Sequence, residues 1–156
     1  MKNIERFNLY TAYLFGKLYE EFPVHREIVP VDIVDTLKLP PPEKLAKNHD
    51  ARSTDANFVA HTVMWLVDTG YIILRSSGAN RKRYVLAPKA FEALSATLSA
   101  LEGKKAEEDE KSVGERLSEI AADAGKEAAK EGWRKTISEM VGQVIGHAMK
   151  AFTSPG

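Results

Sequence analysis

Residues 53–85 constrain the fold more than any other stretch of this chain. They open on Ser53-Thr54-Asp55, side chains able to accept from the free N–H groups of a helical first turn, and continue with Val59, Val63, Leu66 and Val67 at helical spacing. Gly70 follows where a helix needs a residue of positive φ in order to stop. Tyr71-Ile72-Ile73-Leu74 and Tyr84-Val85-Leu86 are then β-rich runs on either side of Ser76-Ser77-Gly78-Ala79-Asn80. The stretch predicts a capped helix feeding a β-hairpin.

Upstream, Ile4, Phe7, Tyr10, Leu14, Leu18 and Phe22 recur at steps of three and four and predict a first core helix ended by Pro23. Tyr13, Phe15 and Tyr19 lie off that stripe, so the helix is apolar on more than one side. His25-Arg26-Glu27-Ile28-Val29 is a short extended segment, and Pro30 suits the first turn of a second helix whose apolar side is Val31, Ile33, Val34 and Leu37. Pro40, Pro41 and Pro42 end it, with room for one extra helical turn over residues 42–48. Downstream, Pro88 opens a helix through Phe91, Leu94, Leu98 and Leu101. Residues 102–111 are charged and poor in apolar side chains, and read as a linker.

The tail from residue 112 is helical by composition. Val113, Leu117, Ile120 and Ala124 keep a heptad-like spacing, as do Val141, Ile145, Ala148 and Phe152, but Glu127, Glu131, Arg134 and Ser138 interrupt the seam. Gly125 and Gly132 each weaken a helix by about 1 kcal/mol relative to alanine, which predicts two helices broken near Gly132. The second carries a broad apolar half of Trp133, Ile137, Met140, Val141, Val144, Ile145, Ala148, Met149 and Phe152, and so wide a face needs a partner. Gly142 and Gly146 form a GxxxG spacing of the kind that lets helices approach closely. Charges at Arg134, Lys135, Glu139 and Lys150 keep this segment out of a bilayer, so the face is expected to serve self-association or to dock on the chain's own domain, and the sequence leaves open which; self-association is the reading adopted.

The run Val59-Ala60-His61-Thr62-Val63-Met64-Trp65-Leu66-Val67-Asp68-Thr69-Gly70-Tyr71-Ile72 resembles the recognition helix and first wing strand of winged helix-turn-helix proteins. The resemblance implies an α+β fold, mainly α with a small β-hairpin: a winged helix-turn-helix domain over residues 1–101, the charged linker over 102–111, and a C-terminal amphipathic helical arm over 112–156. It further implies a dimeric, double-stranded-DNA-binding transcriptional regulator. Asn57 and His61 would then probe bases, while Arg52, Ser53, Arg75, Arg81, Lys82 and Arg83 would contact the backbone. The turn between the second and third helices exceeds the usual three or four residues by about a dozen, which departs from the pattern.

Charge cuts across that expectation. The 22 basic and 22 acidic side chains cancel, so any attraction to nucleic acid must be local to the hairpin. Residues 53–70 hold no Arg or Lys, and Phe58, Met64 and Trp65 make the helix as suited to a protein surface as to a DNA groove. A protein-interaction module that assembles through its C-terminal helices without binding DNA is therefore the second open function. Catalysis is not expected: the chain has no cysteine, its four histidines lack metal-ligand spacing, and no phosphate-binding glycine loop or nucleophile elbow occurs. No metal or cofactor is expected either. A charged N-terminus and the lack of a long apolar run predict a cytoplasmic location.

Overall fold

Because its first helix is apolar on two sides, the chain builds layers on both of them. The computed structural model describes residues 1–42, 50–76, 81–123 and 131–153, the last segment with side chains at 133–147. In order, the elements are α1 (Asn3–Glu21), β1 (Arg26–Glu27), α2 (Pro30–Leu37), α3 (Ala51–Asp68), β2 (Ile72–Ser76), β3 (Lys82–Leu86), α4 (Pro88–Ser95), α5 (Leu98–Leu101), α6 (Val113–Ala122) and α7 (Glu131–Thr153). The class is α+β, mainly helical with a small antiparallel sheet.

Helix α1 is central. It packs against α3 and β3 on one side and against α6 and α7 on the other. Tyr10, Leu14 and Leu18 of the predicted stripe are buried, but so is Phe15, because the second layer covers the face that carries it. The ends of the stripe depart from expectation: Ile4 is 62% exposed and Phe22, which lies just past the helix, is 37% exposed. Phe22 instead stacks on Phe91 with ring centroids 4.1 Å apart.

The predicted strand near residue 25 forms as β1, which pairs antiparallel with β3 through Arg26↔Tyr84 and Glu27↔Arg83. β3 also pairs with β2, from Ile72↔Leu86 to Ser76↔Lys82, giving the sheet order β1-β3-β2. Pro30 occupies the first turn of α2 as anticipated, while the stop falls at Lys38, in the left-handed region at φ 48°, ahead of the prolines. The extra turn expected over 42–48 lies, apart from Pro42, outside the described residues.

Both ends of α3 have clear causes. The cap is Asp50, whose carboxylate accepts from the Arg52 N–H at 3.1 Å. Ser53, Thr54 and Asp55, expected to cap, sit inside the helix, because Asp50 satisfies the first turn earlier and Asp55 is drawn inward by a buried partner. At the other end, Tyr71 N–H donates to Leu66 O at 2.8 Å and Gly70 N–H to Val67 O at 3.0 Å. With Gly70 at φ +79°, these bonds make a Schellman stop, and buried Leu66 and Tyr71 complete it.

The C-terminal half requires corrections. The helix expected over 88–101 divides, since Ala96 is extended and Thr97 starts α5 by accepting from Ala100 N–H at 3.1 Å. Residues 102–111 do not separate two bodies. Thr97 bridges to Ser112, Val113 N–H donates to Ala96 O at 2.9 Å, and the Glu110 carboxylate accepts from both the N–H and the hydroxyl of Ser99. Val113 and Leu117 are fully buried in the same core as Leu14 and Phe15. The charged run is a surface excursion that returns to its starting point. Among the described residues of the tail, α6 ends at Ala122 and Gly132 falls in the first turn of α7, so the break expected near Gly132 is not at that residue; Gly125 lies outside the described residues.

The apolar face of α7 finds its partner inside the chain. Ile137, Met140, Val141 and Val144 are buried in the common core, with Trp133 and Ile145 partly buried against it. They pack on α1, α4 and α5, so the predicted self-association surface is an intramolecular one. The expectations at Ala148, Met149 and Phe152 lie outside the described side chains. Among the described residues, no helix is long and apolar enough to cross a membrane.

Candidate nucleic-acid interface

What α3 must bury determines what it can offer. Val59, Val63 and Leu66 point into the core, joined by Thr62, whose hydroxyl donates to Phe58 O at 2.9 Å. Ser53, Asn57, His61, Met64 and Trp65 are left facing out. Met64 is 57% exposed and Trp65 41% exposed, high values for such large apolar groups.

Beneath this face lies a buried ion pair that charge counting alone does not reveal. Arg6 of α1 is wholly inaccessible, and its guanidinium bonds to the Asp55 carboxylate and to Pro40 O, 5.9 Å from the centre of the Phe58 ring. Asp55, expected to cap the helix, is therefore interior. The pKa of the neighbouring Tyr10 hydroxyl is pushed up to about 12, first by burial and next by the Asp55 carboxylate, against the opposing Arg6 charge. The pair fixes α3 against α1 and the chain leaving α2.

Between those helices, Ile4, Phe7, Phe58, His61, Thr62 and Trp65 border a shallow open groove of about 340 Å³. Its floor is held rigidly. Phe7 meets Trp65 at 89° with centroids 5.2 Å apart, and Tyr71 stacks on Trp65 at 14° and 5.9 Å. Tyr71 is itself fixed, because its hydroxyl donates to Ile145 O of α7 at 3.1 Å and the Lys89 ammonium lies 4.3 Å from its ring centroid. Lys89 also donates to Thr69 O at 2.6 Å, at the end of α3.

The hairpin gives the basic residues a definite arrangement. Directly opposed residues of an antiparallel ladder share a face, so Arg75↔Arg83 places two guanidinium groups side by side with Ile73 and Val85. Ser76 and Lys82 lie on the opposite face, in line with Ile72 and Leu86. Arg81 precedes β3 and is exposed. None of Arg75, Arg81, Lys82 and Arg83 forms an ion pair with a described residue, although Glu27 neighbours Arg83 across the sheet. Like charges directly opposed are unfavourable, and a bound anion removes that cost.

Arg52 stands apart from this group. Its Nε and Nη2 donate to the two Asp35 carboxylate oxygens at 2.9 and 2.8 Å, joining α3 to α2. These hydrogen bonds hold the Asp35 carboxyl below its ordinary range and push the Arg52 guanidinium up. Arg52 is thus an anchored cation at the start of α3, whereas the hairpin cations have no ion-pair partner among the described residues. The roles of Phe7 and Tyr71 in shaping the groove were missed in sequence, where both read as plain core or strand residues. A signal existed for Phe7, which lies one turn from Ile4 at the open end of the stripe.

The chain matches no family model, no curated protein and no solved structure.

Proposed function

We propose that this chain is a winged-helix DNA-binding protein that grips the sugar–phosphate backbone through the β2–β3 hairpin. One observation carries the reading: Arg75, Arg81, Lys82 and Arg83 project from nine residues of chain without an ion pair to any described residue, while Arg6, Arg26 and Arg52 are each matched to an acid. Side chains of one sign concentrated on a hairpin suit a row of phosphates. The element order supports the framework, since helix, strand, two helices and a hairpin follow one another with the first strand joined to the last. Asn57 and His61 stand exposed on α3 as the groups that face the bases. Transcriptional regulation is the role such a unit would serve. Its dimerisation cannot use the described part of the apolar face of α7, since Ile137, Met140, Val141 and Val144 are buried within the chain.

Duplex binding followed by fluorescence anisotropy across a salt series tests the reading. The Arg81→Ala/Arg83→Ala double variant is expected to bind every sequence more weakly, with the log–log salt slope flattened by about 0.9 for each phosphate that is no longer neutralised. Unchanged binding in the double variant would remove the hairpin from the mechanism.

The exposure of Met64 and Trp65 beside an apolar groove favours a second reading, in which the same framework captures another protein through α3. That reading predicts no DNA affinity near physiological salt and loss of partner capture on Trp65→Ala. Retained capture would refute it.

A further inference from the structure

We infer that the groove between α1 and α3 receives an unpaired base of a single-stranded nucleic acid, whose phosphates run along the Arg75–Arg83 face of the hairpin. The inference rests on the nucleic-acid reading above and names the form of substrate that the site prefers. Its starting point is a mismatch between α3 and a duplex. The edges of paired bases call for Arg, Lys, Asn or Gln, and of these the outward face of α3 beyond Arg52 offers Asn57 alone: residues 53–70 hold no Arg or Lys, and the large exposed groups beyond Asn57 are Met64 and Trp65, with His61 beside them. Aromatic rings recognise the face of a base, and that face is accessible only where the base is unstacked.

The groove has the features of a stacking platform. It is about 340 Å³, within the range of small-ligand sites, and open along one side, which leaves room for a sugar and phosphate outside it. Trp65 is held by Phe7 and Tyr71 before any ligand arrives, so stacking on it costs little ordering. His61 at the rim can donate or accept, which suits contact with a base edge without selecting one base.

Charge supplies the rest. Ala87 N–H donates to Tyr71 O at 2.9 Å, extending the hairpin ladder back to the residue that supports Trp65. Strand alternation then places Tyr71, Ile73 and Arg75 on one face, and Arg83 opposite Arg75 joins them. Four steps along the strand lead from Tyr71 to Arg75, about 13 Å at the usual rise. That spans no more than about four nucleotides at duplex spacing. A strand with one base in the groove thus brings its neighbouring phosphates to the two arginines.

The test uses the full chain, with affinity read from the anisotropy of fluorescein-labelled DNA and base stacking read from tryptophan fluorescence. Single-stranded dT12 and a 12-base-pair duplex are titrated at low salt into the wild type, into Trp65→Ala and into Arg75→Ala/Arg83→Ala, each variant first shown to melt cooperatively. Expected are tighter binding of dT12 than of the duplex, quenching on dT12 addition that disappears in Trp65→Ala, and about tenfold weaker dT12 binding in that variant. The double arginine variant is expected to weaken both ligands. Equal or tighter binding of the duplex, or binding of dT12 with no quenching that depends on Trp65, overturns the inference and leaves the DNA-binding reading standing. A wild type that binds neither ligand overturns both, and transfers the groove to the protein-capture reading.

Discussion

Replacing Asp55 by alanine is expected to lower the free energy of unfolding by about 3–5 kcal/mol, because it leaves the Arg6 guanidinium buried without its counter-charge. Arg6 has no solvent exposure with which to recover hydration, and the Pro40 carbonyl alone cannot neutralise it. The same pair contributes far less when judged against an apolar alternative. Arg6→Met with Asp55→Leu removes both charges together and is expected to recover most of the loss, since the desolvation of two ions disappears along with their attraction. Urea denaturation of the single and double variants measures both effects, provided that m stays constant. A loss below about 1 kcal/mol for Asp55→Ala would equate the pair with an exposed salt bridge and contradict its burial. The functional consequence is local. Asp55 lies in the helix that carries Phe58, His61 and Trp65, and Arg6 adjoins Phe7, so the pair sets the register of both walls of the groove. Its removal is expected to disturb ligand binding even where the chain still folds.

The elements were legible in the sequence wherever one local rule acted alone. Gly70 ends α3 because a left-handed residue is needed there, and Pro30 begins α2 because its missing N–H has no partner to lose. The inward set Val59, Val63 and Leu66 follows from period alone. Legibility failed where distant segments compete for the same face. Asp55 reads as a cap until Arg6 arrives from 49 residues away, and the actual cap, Asp50, lies in a stretch that composition marks only as a loop. The charged run 102–111 reads as a linker because its own residues cannot be buried, yet the stretches of chain at its two ends are joined through Ala96, Thr97, Ser112 and Val113. For the same reason, the broad face of α7 correctly announced that it needs a partner but could not name α1 as that partner. Within the candidate site, the outward residues of α3 follow from its inward ones. The groove depends on Phe7 and Tyr71 meeting at Trp65, a junction of three elements that no single window of sequence contains.

Glycine shows the same divide most sharply, and it yields a prediction of opposite signs. The GxxxG spacing at Gly142 and Gly146 suggested a close helix approach, but among the described residues nothing lies within 4 Å of a Cβ built at either position. The close approach is at Gly16 of α1, where a Cβ would fall 2.3 Å from the carbonyl oxygen of Leu117 and 2.7 Å from its carbon. The reciprocal position, Gly114 of α6, would place a Cβ 2.6 Å from the Tyr19 ring. A flexible side-chain end can yield to an added methyl group, whereas the backbone of a packed helix cannot. Gly16→Ala must therefore push α6 away from α1, loosening Val113 and Leu117 in the core and breaking the 2.9 Å bond from the Ser118 hydroxyl to Gly16 O. Overpacking of this kind costs about 3 kcal/mol, which outweighs the gain of about 1 kcal/mol that alanine brings to a helix interior. Gly142→Ala receives that gain with no opposing clash and is expected to stabilise the chain slightly. Thermal melts of the two variants should shift in opposite directions from the wild type. A Gly16→Ala protein as stable as the wild type would mean that α1 and α6 do not cross this closely, and α6 would then lose its place in the core that also seats α7.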